Sequence, residues 1–316
     1  MRALQRSARW LRSRFGSGAL ILGYHRIAGE DWDPFSLSVA PGHFAEHLDV
    51  LRRHARPLSV GQLVRGIEHG RLPPASVAVT FDDGYADNLS RAKPLLEGYG
   101  IPATMFVTTA HLGSEFWWDR LARVLAPGTT LPDTIRLSIG ATHRAWVAPP
   151  ADDVEARRRL LMSVYDRLQP LAHPLIERIV NELADTVSGT APEHRVLTDD
   201  ELLALAAGEG VEIGAHGQTH SPLALLSVAD QESEITQSKM VLEQLLGRPA
   251  PGFSYPHGSV SVHTIALVRR SGFAFACASE ADVTSLRSNR FALPRFWVPD
   301  WDGRAFSRWL LRWIRR

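Results

Sequence analysis

The chain has 316 residues, of which 45% are hydrophobic and 22% charged, proportions that are ordinary for a soluble protein with a sizeable core. Its formal net charge of +1 excludes a general electrostatic attraction to nucleic acid, so no nucleic-acid partner is expected. The single cysteine, Cys277, lies in an apolar run and cannot form an internal disulfide, which favours a buried core thiol.

Short apolar runs alternate with longer helical patterns along the chain, which predicts an α/β fold with a parallel sheet. Strands are predicted at 19–24, 77–82, 103–108, 211–215, 252–255, 273–277 and 291–297, and helices at 42–54, 59–69, 86–98, 198–208, 229–246 and 260–271. Seven strands in this alternation predict a distorted, incomplete (β/α)7 barrel that occupies a single domain over residues 1–316.

The interval between the third and fourth strands breaks this rhythm. Residues 113–196 begin with an aromatic cluster, pass through a Pro- and Gly-containing stretch and continue into a charge-rich helical pattern. We interpret this interval as a helical insertion within the barrel domain. Insertions of this kind often shape the substrate cleft of a barrel.

Both ends of the sequence are basic and amphipathic. The first fifteen residues contain five arginines among apolar residues, and residues 304–316 contain another five and no acidic residue. The C-terminal segment predicts a basic amphipathic helix, either packed on the barrel or in peripheral contact with an anionic membrane surface. Without a convincing signal peptide, a cytoplasmic location at or near the inner membrane is expected. The sequence predicts no oligomeric state.

Two adjacent carboxylates, Asp82 and Asp83, end the second predicted strand and are followed by Gly84. Active sites of α/β barrels lie at the carboxyl ends of the strands. Carboxylates on adjacent residues of a strand point to opposite sides, but a glycine permits a sharp turn that brings both to one cleft. A solvated turn is the alternative when this motif stands alone.

Two histidines, His216 and His220, follow the fourth predicted strand with the spacing i, i+4. Such a pair on one turn can bind a single ion, and the fold pattern would place it at the same barrel mouth as the two carboxylates. One aspartate and two histidines form a ligand set for a catalytic metal such as Zn²⁺. The second aspartate would then be free to act as a base in metal-assisted hydrolysis.

Two further motifs follow predicted strands. The turn Tyr255-Pro256-His257-Gly258 is rigid, and its backbone N–H groups could face a developing oxyanion. At the end of the first strand, His25 should reach the same rim, where a histidine that binds no metal can act as a general acid. An ordinary turn and a structural histidine are the respective alternatives.

These motifs resemble those of the polysaccharide deacetylases of carbohydrate esterase family four, the NodB-homology group, over most of the chain outside residues 113–196. The resemblance implies that Asp82 is the catalytic base, that Asp83, His216 and His220 bind a divalent metal, expected to be Zn²⁺, and that the His257 N–H stabilises the oxyanion. It implies a metal-dependent hydrolase that removes N-acetyl groups from an amino sugar in a polysaccharide, oligosaccharide or lipid-linked glycan.

The sequence departs from the family pattern at three places. Gly217 stands in the histidine motif where many members have Ser or Thr, and we expect little effect from this change. Ser254 stands where many members have an arginine that orients the base, and we expect Arg295 to replace that arginine. The late Leu-x-x-His motif is absent, which resembles the exopolysaccharide subgroup whose acid histidine follows the first strand, here His25.

Two other functions remain open from the sequence. One is hydrolysis of another C–N amide, such as a formamide or a cyclic amide, on the same fold. The other is a catalytically silent glycan-binding module. The intact set of two aspartates and two histidines argues against the silent module, which would not need a base.

Overall fold

The structure is a computed structural model that describes residues 18–139, 142–187 and 194–314. The basic N-terminal segment lies outside the described residues. The chain divides into two compact units. The first combines the chain up to Glu30 with Leu37–Leu112 and the chain from Leu197 onward, and the second combines Asp31–Ser36 with Gly113–Val196.

The strands are β1 (Gly18–Tyr24), β2 (Arg26–Ile27), β3 (Ser38–Val39), β4 (Arg56–Leu58), β5 (Ser76–Phe81), β6 (Ala103–Val107), β7 (Thr134–Ile139), β8 (Thr142–Val147), β9 (Val211–Ala215), β10 (Gly252–Ser254), β11 (Phe275–Cys277), β12 (Thr284–Ser285) and β13 (Phe296–Trp297). The α-helices are α1 (Pro41–His54), α2 (Val60–Glu68), α3 (Lys93–Tyr99), α4 (Trp117–Val124), α5 (Val154–Leu168), α6 (His173–Ala184), α7 (Asp199–Ala206), α8 (Val228–Leu246), α9 (Val262–Arg270) and α10 (Gly303–Leu310).

A nine-stranded sheet forms the centre of the first unit, with the order β11-β10-β9-β6-β5-β1-β12. All neighbours along this path are parallel except β12, which is antiparallel to β1, while β13 and β4 add parallel pairs to β1 and β5. A parallel bridge joins Cys277 of β11 to Leu293, just before β13. The sheet therefore curls from β11 back towards β1, which confirms the predicted incomplete barrel.

The strands are buried on both faces, as the continuous apolar runs require. Along β1, Leu20, Leu22 and Tyr24 pack in one apolar cluster, whereas Ala19 and Ile21 pack in another. The first cluster includes the apolar faces of α1 and α8, and the second includes α2 and residues of β11. Each large apolar side chain buried in this way contributes about 1.5–3 kcal/mol.

The predicted C-terminal helix is shorter than residues 304–316. Helix α10 ends at Leu310, after which the Trp313 N–H bonds back to the Leu310 carbonyl, and residues 315–316 lie outside the described part. Phe306 and Leu310 are fully buried, and the Trp309 and Trp313 rings lie against Phe296. The apolar face of this helix thus packs on the barrel, and the membrane contact stays a prediction. No helix among the described residues is long and apolar enough to cross a membrane.

The second unit begins at residue 113 and ends at 196, the bounds predicted for the insertion, and also includes Asp31–Ser36. It contains α4, α5 and α6, as a helical segment should. It also contains an antiparallel hairpin of β7 and β8, which the sequence pattern did not predict. The interpretation of this segment as an insertion in a single domain stays a prediction.

Two other predicted elements differ in extent. The predicted strand 291–297 is reduced to Phe296–Trp297, because Pro294 lacks the N–H group that a sheet ladder needs. The predicted helix 86–98 begins instead as a π-turn over Asn88–Ala92 and becomes α-helical only from Lys93. Pro94 lies in the first turn of α3, where its missing N–H is tolerated.

Candidate active site

The carboxyl ends of β5 and β9 supply three groups that converge on one point. Asp83 follows β5, while His216 and His220 follow β9, and β6 lies between the two strands in the sheet. Asp83 Oδ1 lies 3.4 Å from His216 Nε2 and 3.2 Å from His220 Nε2. All three residues are buried. The structure therefore brings together the three residues that the sequence predicted as metal ligands.

These three residues fit a divalent metal. Asp83 Oδ1 is buried, and no hydrogen bond within the described part of the chain satisfies it. Two ligand atoms about 2.1 Å from one tetrahedral Zn²⁺ lie roughly 3.4 Å apart, which is close to the two distances from Asp83 Oδ1. His216 Nδ1 donates a hydrogen bond to the Ser254 carbonyl at 2.8 Å, which leaves Nε2 as the free electron-pair donor.

The backbone at the site adopts conformations that non-glycine residues rarely take. Asp83, His220 and His257 all have positive φ angles, at 75°, 59° and 55°. The sequence predicted that Gly84 would make the turn, but Asp83 itself also has a left-handed conformation. Each such residue costs on the order of 1–3 kcal/mol, and such strain commonly accompanies functional sites.

Asp82 lies beside Asp83 at the same site, since Asp82 Oδ2 is 3.6 Å from His216 Nε2, the nitrogen that lies 3.4 Å from Asp83 Oδ1. It continues the face of β5 that carries Ala78 and Thr80, and its N–H donates to the Tyr24 carbonyl at 3.0 Å. Its carboxylate accepts hydrogen bonds from Arg295 at 2.7 Å on each oxygen, and Ser254 Oγ donates to Oδ2 at 2.9 Å. Arg295 thus contacts the carboxylate that it was expected to orient, and its role as a replacement for the family arginine stays a prediction.

Arg295 is fully buried, and each of its five N–H groups has an acceptor. Nε donates to the Ala278 carbonyl, Nη1 to Thr80 Oγ1 and Asp82, and Nη2 to Asp82 and Ser254 Oγ. The guanidinium also lies 4.7 Å from the centre of the Trp297 ring. Burial lowers the pKa of Arg295, but the charge and hydrogen bond of Asp82, together with other nearby groups such as Asp83, outweigh this effect and raise the pKa. Arg295 therefore stays charged.

Electrostatics keep the two aspartates ionised. Burial raises the pKa of Asp82, but the charge and hydrogen bond of Arg295, together with the charges of His216 and His25, outweigh burial and hold the pKa below its usual value. Burial also raises the pKa of Asp83, but the neighbouring His220 and His216 hold it well below the usual range. Because the pKa of each aspartate is lowered, both carboxylates are negatively charged at neutral pH.

His25 is placed beside the carboxylates by the register of the sheet. Tyr24 of β1 pairs with Phe81 of β5, so the residues that follow, His25 and Asp82, come out at the same end. The His25 ring stacks on Trp297, with ring centres 4.4 Å apart and an interplanar angle of 13°. Burial lowers the pKa of His25, although the charges of Asp83 and Asp82 oppose that effect.

His257 lies in a 3₁₀ turn over Pro256–Gly258 that follows β10. Its side chain is exposed, and its ring contacts His220 with ring centres 4.5 Å apart. The turn therefore borders the metal-ligand group as predicted. The role of the His257 N–H as an oxyanion donor stays a prediction.

Sequence reasoning missed the part played by Trp297. Its indole contacts both Arg295 and His25, and a Cβ on Gly23 would meet it at 2.6 Å, so only glycine leaves room for it. Alternate residues of a strand share a face, so Trp297 could have been paired with Arg295 from the sequence. Ser254, noted from the sequence only as a departure from the family pattern, contacts both Asp82 through its hydroxyl and His216 through its carbonyl.

Comparisons with known proteins agree with this geometry. The family described as polysaccharide deacetylase matches residues 69–133 and 179–276. YxkH of Bacillus subtilis is 22% identical over 304 residues, which cover 95% of this chain and 79% of that protein.

Two further matches differ in extent. The poly-β-1,6-N-acetyl-D-glucosamine N-deacetylase of Staphylococcus epidermidis is 34% identical over 111 residues, which cover 31% of this chain and 38% of that protein. The solved structure of the Streptococcus pyogenes deacetylase PplD with acetate has a TM-score of 0.62 and 18% identity, and the match covers 95% of this chain and 99% of that one. The structural match supports the fold.

Proposed function

Because this chain belongs to the polysaccharide deacetylase family, we propose that it removes acetyl groups from N-acetylated amino sugars of a glycan with the help of a divalent metal held by Asp83, His216 and His220. The chain is a carbohydrate N-deacetylase and therefore a hydrolase. The observation that supports the mechanism best is the double hydrogen bond from Arg295 to Asp82, next to three converging metal donors.

The donor set favours Zn²⁺. Two imidazoles and one carboxylate, with positions left for water and substrate, are typical of catalytic zinc. When bound, the metal would lower the pKa of a water molecule and polarise the acetyl carbonyl. His216 is already oriented for this role, because the Ser254 carbonyl fixes its Nδ1.

Asp82 is the proposed base, and its contacts hold the carboxylate beside the proposed metal ligands. A carboxylate has about four positions that can accept hydrogen bonds. From the described residues, Oδ2 accepts from Arg295 and Ser254, and Oδ1 accepts from Arg295. Oδ2 lies 3.6 Å from His216 Nε2, so the carboxylate is placed to take the proton of the attacking water. The fixed carboxylate needs no rearrangement before it accepts that proton.

His25 and His257 are the proposed residues for the later part of the reaction. The His25 ring would protonate the departing amine so that the C–N bond can break. The His257 N–H would stabilise the negative charge that develops on the acetyl oxygen. Because burial lowers the pKa of His25, its protonated form gives up a proton readily.

A polymer of N-acetylglucosamine is the first substrate to test. The relative from S. epidermidis is named for a β-1,6-linked polymer, and the match to it covers part of each chain. Cytoplasmic location and contact with an anionic membrane surface are further hypotheses, and a vesicle flotation assay with anionic lipids would test the second.

The decisive experiment measures hydrolysis of a panel of substrates, followed as acetate from N-acetyl sugars, formate from formamides and ring-opened product from cyclic amides. The panel contains β-1,6-linked and β-1,4-linked N-acetylglucosamine oligomers, a nucleotide-linked and a lipid-linked N-acetylhexosamine, and simple formamides and cyclic amides. Each is assayed with the purified protein, after chelation, and after Zn²⁺ is restored. We expect acetate from a sugar substrate, loss on chelation and recovery with Zn²⁺. Hydrolysis of non-sugar amides alone, or of nothing, would contradict the proposal.

A further inference from the structure

The loop between the two metal-binding histidines is held by a carboxylate from helix α8. Glu234 Oε2 accepts hydrogen bonds from the backbone N–H groups of Gln218 and Thr219, at 2.7 and 2.9 Å. Its other oxygen, Oε1, accepts from Thr219 Oγ1 at 2.6 Å. Glu234 is only 7% exposed. One buried carboxylate thus satisfies three donors of a loop that connects His216 to His220.

The loop has a shape that admits this carboxylate. Gly217 has a φ of 73°, and a Cβ placed there would lie 3.2 Å from Glu234 Oε2. The chain then turns again at His220, whose φ is 59°. Glycine adopts this conformation at little cost, but a left-handed histidine is strained, so the loop needs contacts that hold His220 in place.

The helix that carries Glu234 is itself fixed in place. Ile235, the next residue, is fully buried in the core. One turn earlier, Gln231 donates to the Leu226 carbonyl at 3.0 Å and accepts from Thr264 Oγ1 at 2.9 Å. These contacts hold α8 against its neighbours on both sides of Glu234. The carboxylate is therefore a rigid support rather than a surface group that folds over the loop.

We propose that Glu234 is a positioning residue that fixes the spacing of His216 and His220 and thereby sets the affinity of the metal site. The proposal rests on the metal-dependent function proposed above. Glu234 contacts the loop at Gln218 and Thr219 and acts through the loop backbone. Partners behind a metal ligand typically change metal affinity about 10–100-fold when they are removed. An effect of that size is expected when Glu234 is truncated.

The test measures the Zn²⁺ dissociation constant of the full chain by competition with a chromophoric chelator. The variants are Glu234→Ala, which removes all three contacts, and Glu234→Gln, whose amide can keep the backbone contacts without the charge. The control is Glu232→Ala on the same helix, where the side chain is exposed. Thermal unfolding of each metal-free protein shows whether the fold is retained.

We expect Glu234→Ala to weaken Zn²⁺ binding about 10–100-fold, with Glu234→Gln between it and the wild type and Glu232→Ala within about twofold. If Glu234→Ala fails to fold, Thr219→Val should still weaken binding, because it removes the hydroxyl contacts with Glu234 and Ser221 and keeps the backbone N–H contact. Wild-type affinity for Zn²⁺ in folded Glu234→Ala, or in both Glu234→Gln and Thr219→Val, would overturn this inference and leave the proposed function intact. A wild-type chain that binds no metal would overturn the proposed function as well.

Discussion

Arg295 holds the Asp82 carboxylate through two parallel hydrogen bonds, each 2.7 Å long, and both residues are buried. Paired bonds of this kind fix the plane of a carboxylate as well as its position. The same contact supplies the positive charge that keeps the pKa of Asp82 low. Orientation and ionisation of the proposed base thus depend on one side chain.

Arg295→Lys should therefore impair catalysis while preserving the charge. Lysine lacks the planar fork and cannot reproduce both bonds. We expect kcat to fall, but by less than the loss of about 10²–10⁴-fold that removal of a catalytic base causes. Because the pKa of Asp82 rises when this contact weakens, the acidic limb of kcat/KM should move to higher pH. An unchanged pH profile would contradict this role. Ser254→Ala, which removes one contact to Asp82, should have a smaller effect.

Asp82→Asn and Asp83→Asn should separate catalysis from metal binding. Asp82→Asn removes the base but none of the three metal donors, so it should bind Zn²⁺ and lose about 10²–10⁴-fold in kcat. Asp83→Asn removes the carboxylate ligand and should lose metal. Acetate release together with metal analysis of the purified variants checks both. Near-normal turnover by Asp82→Asn would show that another group is the base.

His25→Ala should affect amide substrates more than activated esters. An amine leaves poorly unless it is protonated, whereas an aryl oxide such as 4-nitrophenolate leaves without a proton. We expect loss of N-deacetylation on the order of 10²-fold or more, with most 4-nitrophenyl acetate hydrolysis retained. Equal losses on both substrates would exclude the general-acid role. Trp297→Phe, which keeps an aromatic surface for His25, should retain more deacetylase activity than Trp297→Ala.

His47 should make the fold less stable in acid. It is fully buried; its Nε2 donates to the Trp301 carbonyl, and its Nδ1 accepts from the Tyr24 hydroxyl. Burial lowers the pKa of His47 to about 4 from an ordinary 6.5. As pH falls, His47 is protonated in the unfolded chain before it is protonated in the folded chain. The free energy of unfolding that His47 contributes above pH 6.5 is therefore lost as pH falls towards 4. The loss is about 3 kcal/mol.

Urea unfolding of metal-free wild type and His47→Gln between pH 7.5 and 4.5 measures this effect. The difference in the free energy of unfolding between the two proteins should shrink as pH falls, because the variant has no imidazole to protonate. A difference that stays constant across this range would mean that His47 does not titrate as its surroundings imply.

The sequence predicted most of the barrel because its strands are continuous apolar runs. The strands at 211–215 and 103–108 differ from the observed β9 and β6 by at most one residue. The hairpin of β7 and β8 escaped prediction because β8 is largely exposed and carries no apolar run. The pairing of β8 with β7 holds β8 in an extended conformation, and the residue pattern of β8 by itself does not indicate that pairing.

The residues proposed as metal ligands and base could be identified from the sequence because short motifs at strand ends carry them. Their supports were harder to find, since these act through contacts between distant residues. Glu234 lies in a helix whose sequence looks like a solvated face, yet it is buried beneath the histidine loop. Arg295 was expected because the family arginine was missing, and Trp297 was not expected at all.

Arg295 follows the other proposed site residues in the chain, and this order determines which parts of the site are synthesised first. A growing polypeptide contains Asp83, His216 and His220 well before Arg295 and Trp297 are synthesised. β13, which follows Arg295 directly, also pairs with β1. The three proposed metal donors are therefore synthesised before the residue that holds the proposed base, and a chain cut short before Arg295 would lack the contact that orients Asp82.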